Sequence, residues 1–397
     1  MSSNANDQLS QVENAAENKP FSQFVLKLSS RCDLACDYCY VYTMADQRWR
    51  KQSAVMSAEV IRHTAQRIAE HVGRHRLARV NVVLHGGEPL LAGNARLAAT
   101  VDGIRAALPP GVRATFDLQT NGVLLDERAL DMLAGRGVGI SVSLDGDAAA
   151  HDRHRRRRDG RGSHRSVARA LELLTGPSYR QLFNGLLCTI DLRNDPIRTY
   201  QALLSHAPPA VDFLLPHGNW SNAPPGRSSD TRDTPYADWL VAIFDRWYHS
   251  AGDVGIRIFT EIIHCLLGGH SAVDGIGHDP VAYVVVDADG GIDVGDTINA
   301  SLEGAAHSGL NVSTHAFDQV HAVPGVRART AELASLCDTC DSCPVRDVCG
   351  GGLPAHRYLA GEGFAHPSVY CPDLFALITH IGRCVSEDLR LYSTARQ

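Results

Sequence analysis

Six times between residues 21 and 215 a short apolar run gives way to a helical stretch, and that alternation limits the folds open to the chain. Strand candidates lie at 23–28, 80–84, 114–118, 139–144, 185–190 and 211–215. Helical stretches lie between them, among others at 57–72, 94–108, 126–134, 163–174 and 196–204. Ser57 before Glu59, and Ser163 before a long apolar-periodic run, read as helix caps. Repeated strand-then-helix units predict parallel strands joined by right-handed crossovers. A closed eight-fold barrel needs more repeats than the chain supplies. The expectation is therefore α/β, an open partial (β/α)6 TIM barrel.

Residues able to do chemistry fall just after the strands, where such folds carry their sites. Cys32 follows the first strand, Glu88 the second, Asn121 the third and Asp145 the fourth. Cys32 opens the stretch Cys32-Asp33-Leu34-Ala35-Cys36-Asp37-Tyr38-Cys39, a C-x3-C-x2-C spacing with an aromatic residue before the last thiol. Three thiolates in one loop can hold three irons of a cubane and leave the fourth open to a small molecule. Closed clusters and structural zinc sites normally take four protein ligands. A zinc loop or a chance group of buried thiols is the other reading of these residues. The spacing with Tyr38 resembles the signature of radical S-adenosylmethionine (SAM) enzymes. That resemblance implies a [4Fe–4S] cluster on Cys32, Cys36 and Cys39, with SAM chelating the open iron.

His85-Gly86-Gly87-Glu88-Pro89 ends the second strand. Paired glycines let the backbone approach a ligand closely, and the run resembles the Gly-Gly-Glu-Pro motif with which these enzymes bind the SAM amino group. Gln119-Thr120-Asn121-Gly122 and Ser141-Val142-Ser143-Leu144-Asp145-Gly146 offer short polar side chains suited to ribose hydroxyls, or else to caps and turns. In the resembling sulfatase-maturase branch, a serine of the fourth-strand motif and an arginine twelve positions later contact SAM. Ser143 and Arg155 match that spacing, and a guanidinium is a natural bidentate partner for a carboxylate. The candidate cofactor contacts are thus Tyr38, Gly86, Gly87, Glu88, Pro89, Asn121, Ser143, Asp145 and Arg155. The rest of the basic run through Arg158 reads as a solvated loop, with surplus arginines available to steer an acidic peptide.

A second group of cysteines crowds residues 337–371, in a stretch without helical or strand periodicity. Cys340-x2-Cys343-x5-Cys349, completed by Cys371, resembles the second auxiliary [4Fe–4S] site of SPASM domains, C-terminal extensions of radical SAM enzymes that modify peptides. A zinc ribbon is the alternative, and Cys337 could replace Cys371 as fourth ligand. A full SPASM domain has a further cysteine four positions after Cys349, where Leu353 stands. It has another at the end of a Gly-x4-Cys turn; here Gly290 fits the glycine and Gly295 takes the cysteine position. One auxiliary cluster is expected rather than two. Asp296 follows that position, as in the sulfatase maturases an aspartate that accepts a substrate proton does, and is the candidate base. Cys188, Cys265 and Cys384 sit in apolar surroundings and read as inert thiols. The run 350–358, with 363–371, most resembles the FxsB-like branch, which installs cross-links on ribosomally made precursor peptides.

Ordinary hydrophobic content (44%), a net charge of -6 and no long apolar run give no reason to expect nucleic acid or a membrane as partner. Residues 1–20 are polar, lack a signal-peptide core and read as a disordered tail, too short for a leader-binding domain. Expected divisions are the barrel at 21–235, a helical bridge at 236–280, the SPASM-like domain at 281–385 and a tail at 386–397. The reading as a whole is a cytoplasmic radical SAM peptide maturase fed by a flavodoxin or ferredoxin. By resemblance it abstracts a Cβ hydrogen and forms a three-residue cyclophane to an aromatic ring. The rivals are an anaerobic sulfatase maturase making formylglycine and a non-enzymatic Fe–S or zinc scaffold.

Overall fold

The computed structural model describes residues 20–394 apart from 228–231, 251–253, 272 and 279–281. The expected N-terminal tail therefore lies outside the described residues, save for Pro20. The strands are β1 (Gln23–Ser29), β2 (Arg79–Gly86), β3 (Arg113–Thr120), β4 (Val138–Ser143), β5 (Phe183–Thr189), β6 (Ala210–Leu214), β7 (Gly255–Ile256), β8 (Tyr283–Val286), β9 (Gly291–Asp293) and β10 (His307–Asn311). They form one open sheet in the order β10-β9-β8-β1-β2-β3-β4-β5-β6-β7. From β8 through β7 every neighbour is parallel, while β8, β9 and β10 pair antiparallel.

The crossovers are α1 (Ala58–His75), α2 (Asn94–Ala107), α3 (Glu127–Ala134), α4 (Ala148–His154) with α5 (His164–Leu174), and α6 (Pro196–Leu204). Beyond the six repeats come α7 (Pro235–Tyr248), α8 (Arg257–Leu266), α9 (Pro324–Ala334), the short α10 (Asp338–Asp341) and α11 (Arg346–Cys349), and the long α12 (Cys371–Thr394). Ser57 caps α1 by accepting from Val60 N at 3.1 Å. Ser163 does not cap α5; Asp152 accepts from the N–H groups of Ser163 and His164, both at 2.8 Å. Among the described residues no helix is long and apolar enough to cross a membrane.

Strand alternation explains where the site lies. On β1 and β2 the residues Phe24, Leu26, Leu28, Val80, Val82 and Leu84 are buried. They belong to one apolar core with Ile61, Ile68 and Val72 of α1. The opposite faces carry polar side chains: Gln23 donates to Asn81 at 2.8 Å, and Asn81 and Asn184 donate to Asp117 at 2.5 and 2.7 Å. A closed barrel of this kind fills its interior with branched apolar side chains. This open sheet instead mixes hydrogen-bonded polar side chains with Val25 and Val83 on that face.

Two features differ from the sequence reading. β8 pairs with β1, so strands from the two expected divisions share one sheet. Residues 386–394, expected as tail, continue α12. That helix anchors on the barrel side through Asp373, whose Oδ1 accepts from Tyr236 N and Ala237 N at 2.9 and 3.0 Å. Its Oδ2 accepts from Arg227 at 2.8 Å. Asp373 thus supplies the cap that α7 lacks in its own sequence. Asp373→Ala is expected to destabilise the protein by about 3–5 kcal/mol, because it also strands the buried Arg227; Asp373→Asn keeps an acceptor and should lose less. Denaturant unfolding of the two variants measures the difference.

Candidate functional site

A cavity of about 360 Å³ opens at the C-terminal ends of the strands. Cys32, Cys36 and Cys39 line it from the loop after β1, Gly86 and Gly87 from β2, Asn121 from β3, and Ser143 and Arg155 from β4 and beyond. Leu353 and His356 line it from the C-terminal region. Most of the residues singled out by spacing along the chain therefore meet in one place.

The cysteine loop is held by the arginine run that follows α4. Ala35 N donates to Arg156 O at 2.7 Å, and Arg158 Nε donates to Cys32 O at 3.1 Å. Arg157 bonds Ser166, and Arg153 pairs with Asp191 at 2.5 Å. The run expected as a solvated loop is thus in part a clamp: Arg156 and Arg158 hold the cysteine loop, while the side chains of Arg153 and Arg157 bond residues outside it. Burial pushes the Cys32 thiol up to about 12 and Cys36 to about 11. Backbone N–H groups aim at two of the sulfurs: Leu34 N at Cys32 (3.4 Å), Tyr42 N and Val41 N at Cys39. Such N–H groups favour the thiolate, while burial opposes it unless a metal neutralises the charge.

Gly86 and Gly87 serve the chain's own packing. A Cβ on Gly86, at φ +142, would meet Ser29 O at 2.3 Å. One on Gly87 would meet Tyr42 Oη at 1.8 Å and Arg31 O at 2.4 Å. The glycines let β2 press against the cysteine loop, and they still line the cavity. Glu88 does not reach it. Its fully buried carboxylate accepts from Leu90 N (3.0 Å), Thr120 Oγ1 (2.8 Å) and Asn121 N (2.8 Å), joining the ends of β2 and β3. Burial lifts its carboxyl to about 7. Pro89 is buried behind it. Asn121 donates to Asp33 at 2.8 Å and approaches Cys32 Sγ at 3.6 Å.

Tyr38 bridges two charges: its hydroxyl donates to Asp145 and accepts from Arg155 at 2.8 Å. Asp145 also accepts from Thr189 N at 3.1 Å and stays behind the cavity wall. Arg155 lines the cavity, yet its buried Nε has no partner among the described residues. An enclosed guanidinium short of acceptors beside three thiols is a place for an anionic group. Behind it, His151 is fully buried against Asp145 N and Ser163 Oγ, and burial drives its imidazole down to about 2. An unfolded histidine titrates near 6.5. Below that pH the unfolded chain takes up a proton the folded one refuses, so stability present above pH 6.5 is lost as pH falls. The expected slope for this group is about 1.4 kcal/mol per pH unit. Unfolding free energies at pH 7, 6 and 5 should show it, and His151→Gln should flatten it.

Asp296 is placed differently from expectation. It does not line the main cavity but a small neighbouring one, shared with Lys27, Tyr40 and Gly87. Oδ1 accepts from Lys27 Nζ at 2.5 Å and Oδ2 from the Tyr40 hydroxyl at 2.6 Å. Burial opposes ionisation most strongly, but the charge and hydrogen bond of Lys27, the Tyr40 hydroxyl and His85 together hold the carboxyl below its usual range. Tyr40, which the sequence reading did not use, stands between Asp296 and the main cavity's wall. His217 and His356 were missed as well; single histidines in a loop and after a glycine run carry no spacing signal.

In the C-terminal group, Cys340 lies beside Cys337, Cys349 and Cys371, and Cys371 beside Cys343. Both Cys337 and Cys371 are thus near enough to complete a set of four. Gly350, Gly351 and Gly352 all have positive φ (62, 82 and 69°), and the last two turn their N–H groups onto Cys349. Sulfurs around one tetrahedral zinc stand about 3.8 Å apart, given Zn–S near 2.3 Å. Among the described residues the groups whose ligand atoms come within 4.8 Å of one another are His71–His75–Asp318 and Asp245–His380–Cys384, which include no cysteine of either cluster. Both cysteine sets are spread wider than a single zinc ion requires.

A parallel open barrel with a three-cysteine loop at its strand ends defines a class. Residues 26–176 match the family model of the Radical SAM superfamily. The chain carries a radical SAM domain and is a radical SAM enzyme. Its homologues are anaerobic sulfatase-maturating enzymes: the cysteine-type enzyme of Clostridium perfringens (strain 13 / Type A) is 25% identical over 278 residues, 69% of this chain and 73% of that protein. The structure of native anSMEcpe with bound AdoMet (SAM) superposes with a TM-score of 0.81 at 21% identity, covering 92% of this chain and 98% of that one. Streptococcus suis SuiB bound to precursor peptide SuiA gives 0.59 at 12% identity, covering 93% and 80%. These likenesses bear out the partial-barrel expectation.

Proposed function

We propose that the chain is a radical SAM maturase of a ribosomally made peptide that joins a side-chain Cβ to an aromatic ring, as a three-residue cyclophane. One observation carries the reading: three thiols, an under-paired buried arginine and residues of the C-terminal cysteine region wall the same cavity. Cys32, Cys36 and Cys39 hold a [4Fe–4S] cluster with one open iron. Gly86, Gly87, Asn121, Ser143 and Arg155 would line the place for SAM, where the Arg155 guanidinium would offer its free N–H to a carboxylate. Tyr38 and Asp145 fix Arg155, while Glu88 and Pro89 fix the glycine loop. Cys340, Cys343, Cys349 and Cys371 would hold one auxiliary [4Fe–4S] cluster, which would accept the electron released when the ring loses its proton after the carbon–carbon bond forms. Bound together, cluster and SAM supply a 5′-deoxyadenosyl radical able to take a hydrogen atom from carbon. Asp296 accepts a substrate proton through Tyr40, which passes its own proton on as it receives the next. A flavodoxin or ferredoxin supplies electrons. Support for a peptide substrate comes from the fold shared with SuiB, whose structure holds its precursor peptide.

The homologues favour a second reading, formylglycine formation. Gly295 and Leu353 stand where a further auxiliary cluster would need cysteines, which weighs against it. Anaerobic reconstitution separates the readings. About eight irons per chain are expected, against about twelve for two auxiliary clusters and none for a zinc scaffold. Treated peptide should lose two hydrogens and gain a carbon–carbon bond in fragment spectra. An aldehyde trapped by hydroxylamine would decide for the sulfatase-maturase reading instead.

A further inference from the structure

Three imidazoles meet the main cavity without a hydrogen-bond partner. His85 ends β2, His217 follows β6 and His356 lies beyond the glycine run, and all three line the cavity. Nδ1 of His85, Nδ1 of His217 and Nε2 of His356 are sealed from solvent, and no group among the described residues bonds them. A buried polar atom left unpaired costs about 1–3 kcal/mol, and native structures keep few of them. The opposite nitrogens of the three rings, His85 Nε2, His217 Nε2 and His356 Nδ1, have no partner among the described residues either and are not sealed, so these are the atoms that a ligand in the cavity would pair.

The rings also form a row. Tyr40 and His217 have centroids 4.9 Å apart, His217 and His356 5.5 Å, and His356 and Tyr370 4.9 Å. Phe213, Leu215, Pro216 and Ile276 add apolar wall nearby. Burial lowers His217 to about 4 and His356 well below the usual range, so both rings are uncharged at neutral pH. A neutral imidazole offers one donor and one acceptor. It cannot itself neutralise a carboxylate or an ammonium, so a charged group would have to turn to Arg155, Arg257 or Asp274 of the lining. Flat apolar walls and rings favour another ring in offset or edge contact, with centroids about 4.5–7 Å apart.

We propose that His217 and His356, which share the cavity lining with His85, form a subsite for an aromatic side chain that carries its own O–H or N–H: a phenol, indole or imidazole of the peptide. This rests on the maturase reading and narrows its substrate. An aliphatic hydroxyl lacks the ring, and phenylalanine lacks the polar handle that pairs the histidines.

The test uses the anaerobically reconstituted holoprotein with SAM and, as probes, N-acetyl amides of tyrosine, phenylalanine and serine, followed by saturation-transfer NMR. The tyrosine amide should bind roughly three- to tenfold tighter than the phenylalanine amide, the worth of one net hydrogen bond, with serine weakest. His217→Phe and His356→Phe should bring the tyrosine-to-phenylalanine ratio to about one, and His356→Gln should restore part of it. Iron content reports whether each variant has folded, and the wild-type comparison stands without them. Equal affinity for tyrosine and phenylalanine amides, no binding of any probe, or a ratio unchanged in both phenylalanine variants overturns the subsite. Reductive SAM cleavage without peptide, measured on the same wild-type sample, tests the underlying reading: its absence sinks the maturase, whereas its presence without discrimination sinks the subsite alone.

Discussion

Cys36→Ala should lower the iron of reconstituted protein from about eight to about four per chain and abolish reductive SAM cleavage. Cys36 lines the cavity between Cys32 and Cys39, beside the buried Arg155. Two thiols cannot tether the cubane at three corners, so the open iron disappears with the cluster. The auxiliary set is far along the chain and should keep its four irons. Cys188→Ala is the control: that thiol is buried in the core of β5, with burial raising it far above its ordinary range. Its loss should leave the iron count unchanged. Full iron and intact SAM cleavage in Cys36→Ala would falsify the assignment of the three-cysteine loop.

Arg155→Met should weaken SAM binding by about 10²–10³-fold while iron content stays near eight. Removing one partner of a buried, hydrogen-bonded charge pair costs about 2–5 kcal/mol, and Arg155 answers both the Tyr38–Asp145 pair and the anionic group proposed in the cavity. Arg155→Lys restores the charge without the planar fork and should recover only part of the affinity. The readout is the SAM-induced change in the electron paramagnetic resonance spectrum of the reduced cluster, titrated in each variant. A wild-type titration curve for Arg155→Met would remove the arginine from the site.

Much of the site was legible because it is local chemistry at fixed spacing. Cys32, Cys36 and Cys39 lie within one loop, and Gly86 and Gly87 within one turn. The six apolar runs located β1 to β6 in the same way. Ser163 shows the limit: its position suggested a cap, but Asp152, eleven residues earlier, takes that part. Glu88 shows another. Its place in a ligand-binding motif was readable, but not that three protein donors would turn it away from the cavity.

By itself the sequence determined the class of fold, the grouping of the cysteines in two sets and the paired glycines at the end of β2, though it assigned these to a ligand and the structure shows β2 pressed on the cysteine loop. All of these follow from periodicity or short-range spacing, which a chain carries wherever it folds. Only the tertiary structure decided that Asp296 faces Lys27, 269 residues away, rather than the cavity, and that Tyr38 meets Asp145 across 107 residues. It alone brought His217 and His356 together, extended the sheet with β8 and let Asp373 cap α7. Such pairings are fixed by which strand ends and helix termini the closed packing brings within hydrogen-bond reach, and no local pattern records that.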